Sequence, residues 1–123
     1  MSLLPRVIGH RGAPRLAPEN TLSSFQAAAA AGIKAVEFDV ALTLDSRPIV
    51  IHDASLERTT DGSGLLAEST LESISGLDAG SWFGPSFSGE VIPTLEEVVD
   101  LLTALGLQAN IELKPDPGRE VET

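Results

Sequence analysis

Hydrophobic residues along this chain recur with two periods, and the points where one period gives way to the other mark the elements. Arg6 to Gly9 is a short apolar run that reads as a strand and opens directly into His10-Arg11-Gly12. Pro14 and Pro18 keep the following polar stretch, Ala13 to Asn20, out of a helix. A helical period then begins: Asn20 or Thr21 serves as the cap, Leu22, Phe25, Ala29 and Ile33 share one face, and Gly32 ends the element. The alanines from Ala27 to Ala31 suit close packing of that helix on a sheet. From Ala35 to Thr43 the period drops to two, with Val36, Phe38, Val40 and Leu42 on one face and Glu37, Asp39, Ala41 and Thr43 on the other. Asp45 to Pro48 forms a turn, and Ile49 to Ile51 is a further strand ending in His52-Asp53. A connection this short predicts an antiparallel hairpin, because a parallel crossover needs about a dozen residues or more.

Between Ala54 and Pro93 the periodicity dissolves and Gly62, Gly64, Gly76, Gly80, Gly84 and Gly89 interrupt the chain, which reads as a loop-rich insertion. One short helix is predicted there, Thr70 to Ser75, with Ser69 and Glu72 as its capping box. Regularity returns at Thr94, which with Glu97 forms a second capping box. Leu95, Val98, Val99, Leu102 and Leu105 give the next helix an apolar stripe, and Gly106 stops it. Leu107 to Lys114 alternates again, with Ile111 and Leu113 opposite Asn110, Glu112 and Lys114; Pro115 and Pro117 end that strand, and Asp116 is placed to cap another helix. The order is that of parallel βα units with an insertion at 54–93.

Length and charge narrow the picture. At 123 residues the chain has the size of one domain, whereas a complete (β/α)₈ barrel typically takes about 250 residues. Lys and Arg total 8 against 18 Asp and Glu, a net charge of −10, which repels nucleic acid and anionic membranes and argues against both as partners. There is no cysteine, so thiolate chemistry and disulfides are excluded. No apolar run approaches the about 20 residues that span a bilayer, and no leader-like pattern opens the chain, so membrane insertion is not expected and a cytoplasmic location is.

In α/β sheets ligands bind beyond the carboxyl ends of the parallel strands, and the polar residues gather there. Glu37 and Asp39, two apart on one strand, lie roughly 6.5 to 7 Å apart along the backbone and repel by about 2.5 kcal/mol at an effective dielectric near 20. Glu112, on the matching face of the next strand, supplies a third oxygen donor. Such a set suits one hard divalent cation, Mg²⁺, Ca²⁺ or Mn²⁺; the competing reading is a carboxylate network neutralised by Arg11, Lys114 or Lys34. His10 and His52, the chain's two histidines, both fall on this rim, where imidazoles serve as general base and general acid. Arg11 and Lys114 add fixed positive charge suited to phosphate oxygens. No Gly-rich phosphate loop followed by Lys and no nucleophile elbow occurs, so the set favours metal-assisted attack on a phosphodiester.

The ordered motifs His10-Arg11-Gly12, Pro18-Glu19-Asn20-Thr21, Glu37-Phe38-Asp39-Val40, His52-Asp53, Leu56-Glu57-Arg58-Thr59-Thr60, Pro93-Thr94-Leu95 and Glu112-Leu113-Lys114 resemble the glycerophosphodiester phosphodiesterase family. The resemblance implies an α/β fold, the N-terminal part of a TIM-type (β/α)₈ barrel comprising about three βα units plus the insertion. It implies hydrolysis of glycerophosphodiesters to glycerol 3-phosphate and an alcohol, with Glu37, Asp39 and Glu112 as metal ligands. His10 and His52 would be the acid–base pair, and Arg11 and Lys114 would bind phosphate. Trp82 and Phe83 would either cover the glycerol side or anchor the insertion. Residues 1–123 are expected to be one domain, an N-terminal segment of a longer polypeptide whose C-terminal barrel portion, or a second copy, completes it. The alternatives are a lysophospholipase D or sphingomyelinase D-like phosphodiesterase, and an inactive metal-binding half-barrel that requires a complementary segment.

Overall fold

The computed structural model describes residues 7–114; Arg6 and the helix expected from Asp116 lie outside them. Strand β1 (Ile8–His10), helix α1 (Leu22–Ala30), strands β2 (Ala35–Leu42) and β3 (Pro48–Val50), the short helix α2 (Leu71–Ile74), helix α3 (Leu95–Leu105) and strand β4 (Gln108–Leu113) follow in chain order. The sheet is organised around β2. β1 runs parallel to its first three residues, β3 runs antiparallel to its last three, and β4 runs parallel along Ala35 to Val40. β1 and β3 therefore share one edge of β2, and β4 takes the other. The expected hairpin excursion at Ile49 is present.

One face of β2 makes the main core. Val36, Phe38 and Val40 pack with Phe25 and Ala28 of α1 and with Val98 and Leu102 of α3. Phe25 and Phe38 meet edge to face at 5.6 Å, the arrangement that the ring quadrupoles favour. Each such buried side chain contributes about 1.5–3 kcal/mol of transfer free energy. The insertion is held by a second apolar cluster, in which Ile49 and Ile51 meet Leu56, Leu66, Ile74, Ala79 and Ile92.

The helix ends were legible at four of five places. Thr21 caps α1 and Thr94 caps α3 through a complete box with Glu97. Gly32 and Gly106 adopt positive φ, 85° and 70°, and the following residues close the turns: the Ile33 N–H donates to the Ala28 carbonyl and that of Leu107 to the Leu102 carbonyl. The box expected at Ser69 and Glu72 is absent. Thr70 caps α2 by accepting from the Ser73 N–H, while the Ser69 hydroxyl donates back to the Leu65 carbonyl, so the helix starts one residue later than its S-x-x-E pattern predicts.

The buried face of α1 also differs from the predicted stripe. Phe25 is buried, but Ser24 and Ala28, not Ala29, complete the inward face. A serine is tolerated there because both of its bonding directions are used: its hydroxyl donates to the Arg11 carbonyl (2.9 Å) and accepts from the Ala13 N–H (2.8 Å). Gly12, at φ 92°, lies so close that a Cβ would collide with the Ser24 side chain. α1 has no acid in its own first turn; Glu90, at the end of the insertion, supplies one by accepting from the Ser23 N–H and hydroxyl. Among the described residues, no helix is long and apolar enough to cross a membrane.

Candidate active site

The site forms where β1 and β3 both end along one edge of β2. β1 places His10 in register with Glu37, with His10 Nε2 3.8 Å from Glu37 Oε1. The chain then turns sharply through Arg11, a non-glycine residue at φ 57°. That turn is held by three backbone bonds: Arg11 N–H to the Glu37 carbonyl (2.7 Å), Gly12 N–H to the Gly9 carbonyl (3.1 Å), and Asn20 N–H to the Arg11 carbonyl (3.0 Å). On the other side of the seam the Ile51 N–H donates to the Asp39 carbonyl at 3.0 Å, and the chain leads from there into His52. Parallel pairing sets Glu112 of β4 opposite Asp39, and the Lys114 N–H closes the ladder on the Val40 carbonyl.

Alternation therefore turns Glu37, Asp39 and Glu112 to one face, as expected, and one carboxylate oxygen from each lies within 4.8 Å of the other two. Their surroundings differ. The Asp39 side chain is 1% exposed. Its Oδ2 accepts from Asn20 Nδ2 at 3.1 Å and lies 3.6 Å from Arg11 Nε. Its Oδ1 is buried and has no hydrogen-bond partner among the described residues, with Lys114 Nζ at 3.8 Å. Burial and the charge of Asp39 push the Glu37 carboxyl above its ordinary value, against the opposing pull of His10. The Lys114 ammonium, hydrogen-bonded to Glu112 at 3.2 Å, holds Glu112 below its ordinary value. A buried anionic oxygen without a donor, facing two further carboxylates, is the donor set of a hard divalent cation, and these residues fit one.

Arg11 and Lys114 flank the cluster as expected, and both are paired with carboxylates. Lys34 makes no ion pair among the described residues and contributes only its carbonyl, to Gln108. His52 lies on the same rim and is held by its neighbour: Nδ1 is 2.8 Å from Asp53 Oδ1. Since a carboxylate only accepts, the Nδ1 of the neutral ring carries the proton and Nε2 has the free lone pair. Trp82 meets Phe83 edge to face at 5.9 Å, Phe83 meets Phe87 at 5.4 Å, and Trp82 Nε1 donates to the Ala79 carbonyl. The anchor that ties the insertion to the sheet is aliphatic.

Four residues to which the sequence reading gave no part in the chemistry belong to the site. Asn20 fixes Asp39, Asp53 fixes His52, and Glu19 with Arg58 joins the two halves. All four lie in quoted motifs, Pro18-Glu19-Asn20-Thr21, His52-Asp53 and Leu56-Glu57-Arg58-Thr59-Thr60. That placement was the available signal; their partners, up to 39 residues away, were not.

A mainly parallel α/β sheet with an acidic cluster on one face of its neighbouring parallel strands is the architecture of a partial α/β barrel. The glycerophosphoryl diester phosphodiesterase family matches residues 10–123, and the chain belongs to that family. A glycerophosphodiester phosphodiesterase of Caldanaerobacter subterraneus subsp. tengcongensis is 47% identical over 108 residues, covering 88% of this chain and 44% of that protein. Among solved structures, an Oleispira antarctica phosphodiesterase in complex with the product sn-glycerol-3-phosphate superposes with a TM-score of 0.95 at 49% identity, over 98% of this chain and 49% of the other. A glycerophosphodiester phosphodiesterase from Agrobacterium tumefaciens gives a TM-score of 0.85 at 37% identity, over 89% and 47%. The chain thus spans about half the length of the relatives it matches, and its fold is the corresponding part of their TIM-type barrel.

Proposed function

We propose that the polypeptide carrying this chain hydrolyses glycerophosphodiesters to glycerol 3-phosphate and an alcohol. The observation that carries the reading is the in-register carboxylate set Glu37, Asp39 and Glu112, with the Asp39 Oδ1 buried and undonated, in a chain of this family. The product named for the Oleispira antarctica relative, sn-glycerol-3-phosphate, supports the substrate class. Glu37, Asp39 and Glu112 would hold one divalent cation, Mg²⁺, Ca²⁺ or Mn²⁺. When bound it supplies Lewis-acid neutralisation of charge on the non-bridging oxygens. Arg11 and Lys114 exchange part of their carboxylate pairing for those same oxygens, which holds the phosphorus in place for in-line attack. One of His10 and His52 accepts the proton of the attacking oxygen, from water or from the substrate's own hydroxyl, and in the second case water then opens the cyclic phosphodiester to glycerol 3-phosphate. The other delivers a proton to the departing alcohol oxygen as its bond to phosphorus breaks. For His52 the working atom is Nε2, because Asp53 occupies Nδ1. In this reading residues 54–93 are the insertion of a single domain, and the remaining barrel strands close its lumen against β1 and β4.

The test is metal-dependent release of glycerol 3-phosphate from glycerophosphocholine, with lysophosphatidylcholine as the competing substrate. Glu37→Ala and Glu112→Ala are expected to abolish release and loosen the cation while leaving the protein folded. His52→Ala should slow release without loosening the cation. Faster turnover of lysophosphatidylcholine than of glycerophosphocholine, or full activity of both carboxylate variants after chelation, would overturn the reading.

A further inference from the structure

Arg58 enters the site from the insertion and engages two acids at once. Nε and Nη2 donate to Asp53 at 2.8 and 3.0 Å, and Nη1 and Nη2 donate to Glu19 at 3.0 and 2.9 Å. Each acid has a second client. Asp53 Oδ1 also holds His52 Nδ1, and Glu19 Oε2 also accepts from Arg11 Nη1 at 3.2 Å. We propose that Arg58 is a positioning residue for both halves of the site, locking the Asp53 carboxylate that orients His52 and the Glu19 carboxylate that holds Arg11. The roles of His52 and Arg11 rest on the phosphodiesterase reading above; the coupling rests on the network itself.

The geometry explains why one residue serves both ends. A guanidinium is a rigid planar fork with five N–H donors, so its position fixes the rotation of both carboxylates that it grips. Asp53 spans the fork with both oxygens, leaving its Oδ1 turned toward the His52 ring. Glu19 is almost fully enclosed, with its side chain 9% exposed. Burial alone would raise its carboxyl, but the hydrogen bond and charge of Arg58, aided by Arg11, outweigh burial and keep it ionised. Without Arg58 the two anions lose their shared counter-charge. Asp53 is then free to turn away from His52, and Glu19 is free to draw Arg11 from Asp39 Oδ2, which lies 3.6 Å from Arg11 Nε. A lysine carries the charge but not the fork, so it cannot grip both carboxylates in this manner.

The chain has two histidines, so ¹⁵N-histidine labelling of the whole protein gives two ring systems, and His52→Asn assigns them. Wild-type His52 is expected to carry its neutral-state proton on Nδ1. In Arg58→Met the His52 ring nitrogens should move toward the free-imidazole tautomer mixture while those of His10 stay in place, with Arg58→Lys between the two. In the glycerophosphocholine assay, kcat of Arg58→Met should fall about ten- to a hundredfold, the usual effect of removing a supporting partner. Glu19→Gln should act mainly on KM through Arg11. His52 ring shifts in Arg58→Met that match wild type would overturn the proposal, whatever happens to the rate. If Arg58→Met does not fold, Arg58→Lys decides by the same ring readout. Wild-type protein that releases no glycerol 3-phosphate would sink the phosphodiesterase reading, while the ring shifts would still support or overturn the coupling.

Discussion

Strands β2 and β4 carry nearly the same alternation, lie side by side in parallel register and end in the same site, yet they occupy opposite environments. Phe38 of β2 is wholly buried, whereas its register partner Ile111 on β4 is 42% exposed. The same holds one step on, where the Asp39 side chain is 1% exposed and that of its partner Glu112 is 56% exposed. The cause is the number of neighbours. Among the described residues β2 is flanked by β1, β3 and β4 and covered by two helices, while β4 pairs with β2 alone and all six of its residues are exposed. A sequence pattern specifies which residues share a face; only the neighbours decide whether that face is dry.

The largest test of this contrast lies in the core pair. Phe38→Ala should cost about 3–5 kcal/mol of unfolding free energy, the range for truncating a buried aromatic, whereas Ile111→Ala, in residues 1–123 on their own, should cost under about 1 kcal/mol. Urea unfolding of the two variants measures both, and comparable losses would mean that β4 is covered in solution. The next effect concerns the cation. Asp39 is immobilised by Asn20 and has a buried free oxygen, so Asp39→Asn should weaken Mg²⁺ or Ca²⁺ binding on the order of a hundredfold by calorimetric titration. Glu112→Gln, at an exposed position already screened by Lys114, should weaken it about tenfold; equal losses would erase the distinction between the two strands.

The smallest effect is in proton binding, and its sign differs between the strands. With cations chelated, ¹³C-detected titration should find the Glu37 carboxyl above 4.5 and the Glu112 carboxyl below it, 4.5 being the ordinary value of both. The folded state binds the Glu37 proton more tightly than the unfolded state does, so this group disfavours folding while charged, and the penalty is relieved as pH falls through its raised pKa. Glu112 behaves in the opposite sense: its ion pair with Lys114 favours folding above 4.5, and that contribution is lost as pH falls through the lowered pKa. Shifts of one sign for both residues would break the comparison.

What the sequence made legible follows from the range of the interaction involved. Alternation from Ala35 to Thr43 was enough to align Glu37 with Asp39 and, with the second alternating run, to bring Glu112 beside them. The hairpin at Ile49 and the caps at Thr21 and Thr94 depend on residues a few positions apart and were likewise readable. The start of α2 was missed because Ser69 and Thr70 offer competing caps, and a hydrogen bond back to Leu65 decides between them. Ser24 was missed because its burial depends on the Arg11 carbonyl, 13 residues away. The bridge from Glu19 to Arg58 spans 39 residues and leaves no periodic trace.

The left-handed backbone at Arg11 has a consequence for anyone seeking a hardier form of this protein. A non-glycine residue in that conformation costs roughly 1–2 kcal/mol, and glycine would remove the strain while keeping the turn. Arg11→Gly would also discard the guanidinium that lies against both Asp39 and Glu19, and leaving two enclosed carboxylates without that partner costs about 3–5 kcal/mol, more than the strain it relieves. The strained turn is thus held by the ion pairs it makes possible, and a hardier form of this protein is to be sought at positions away from it.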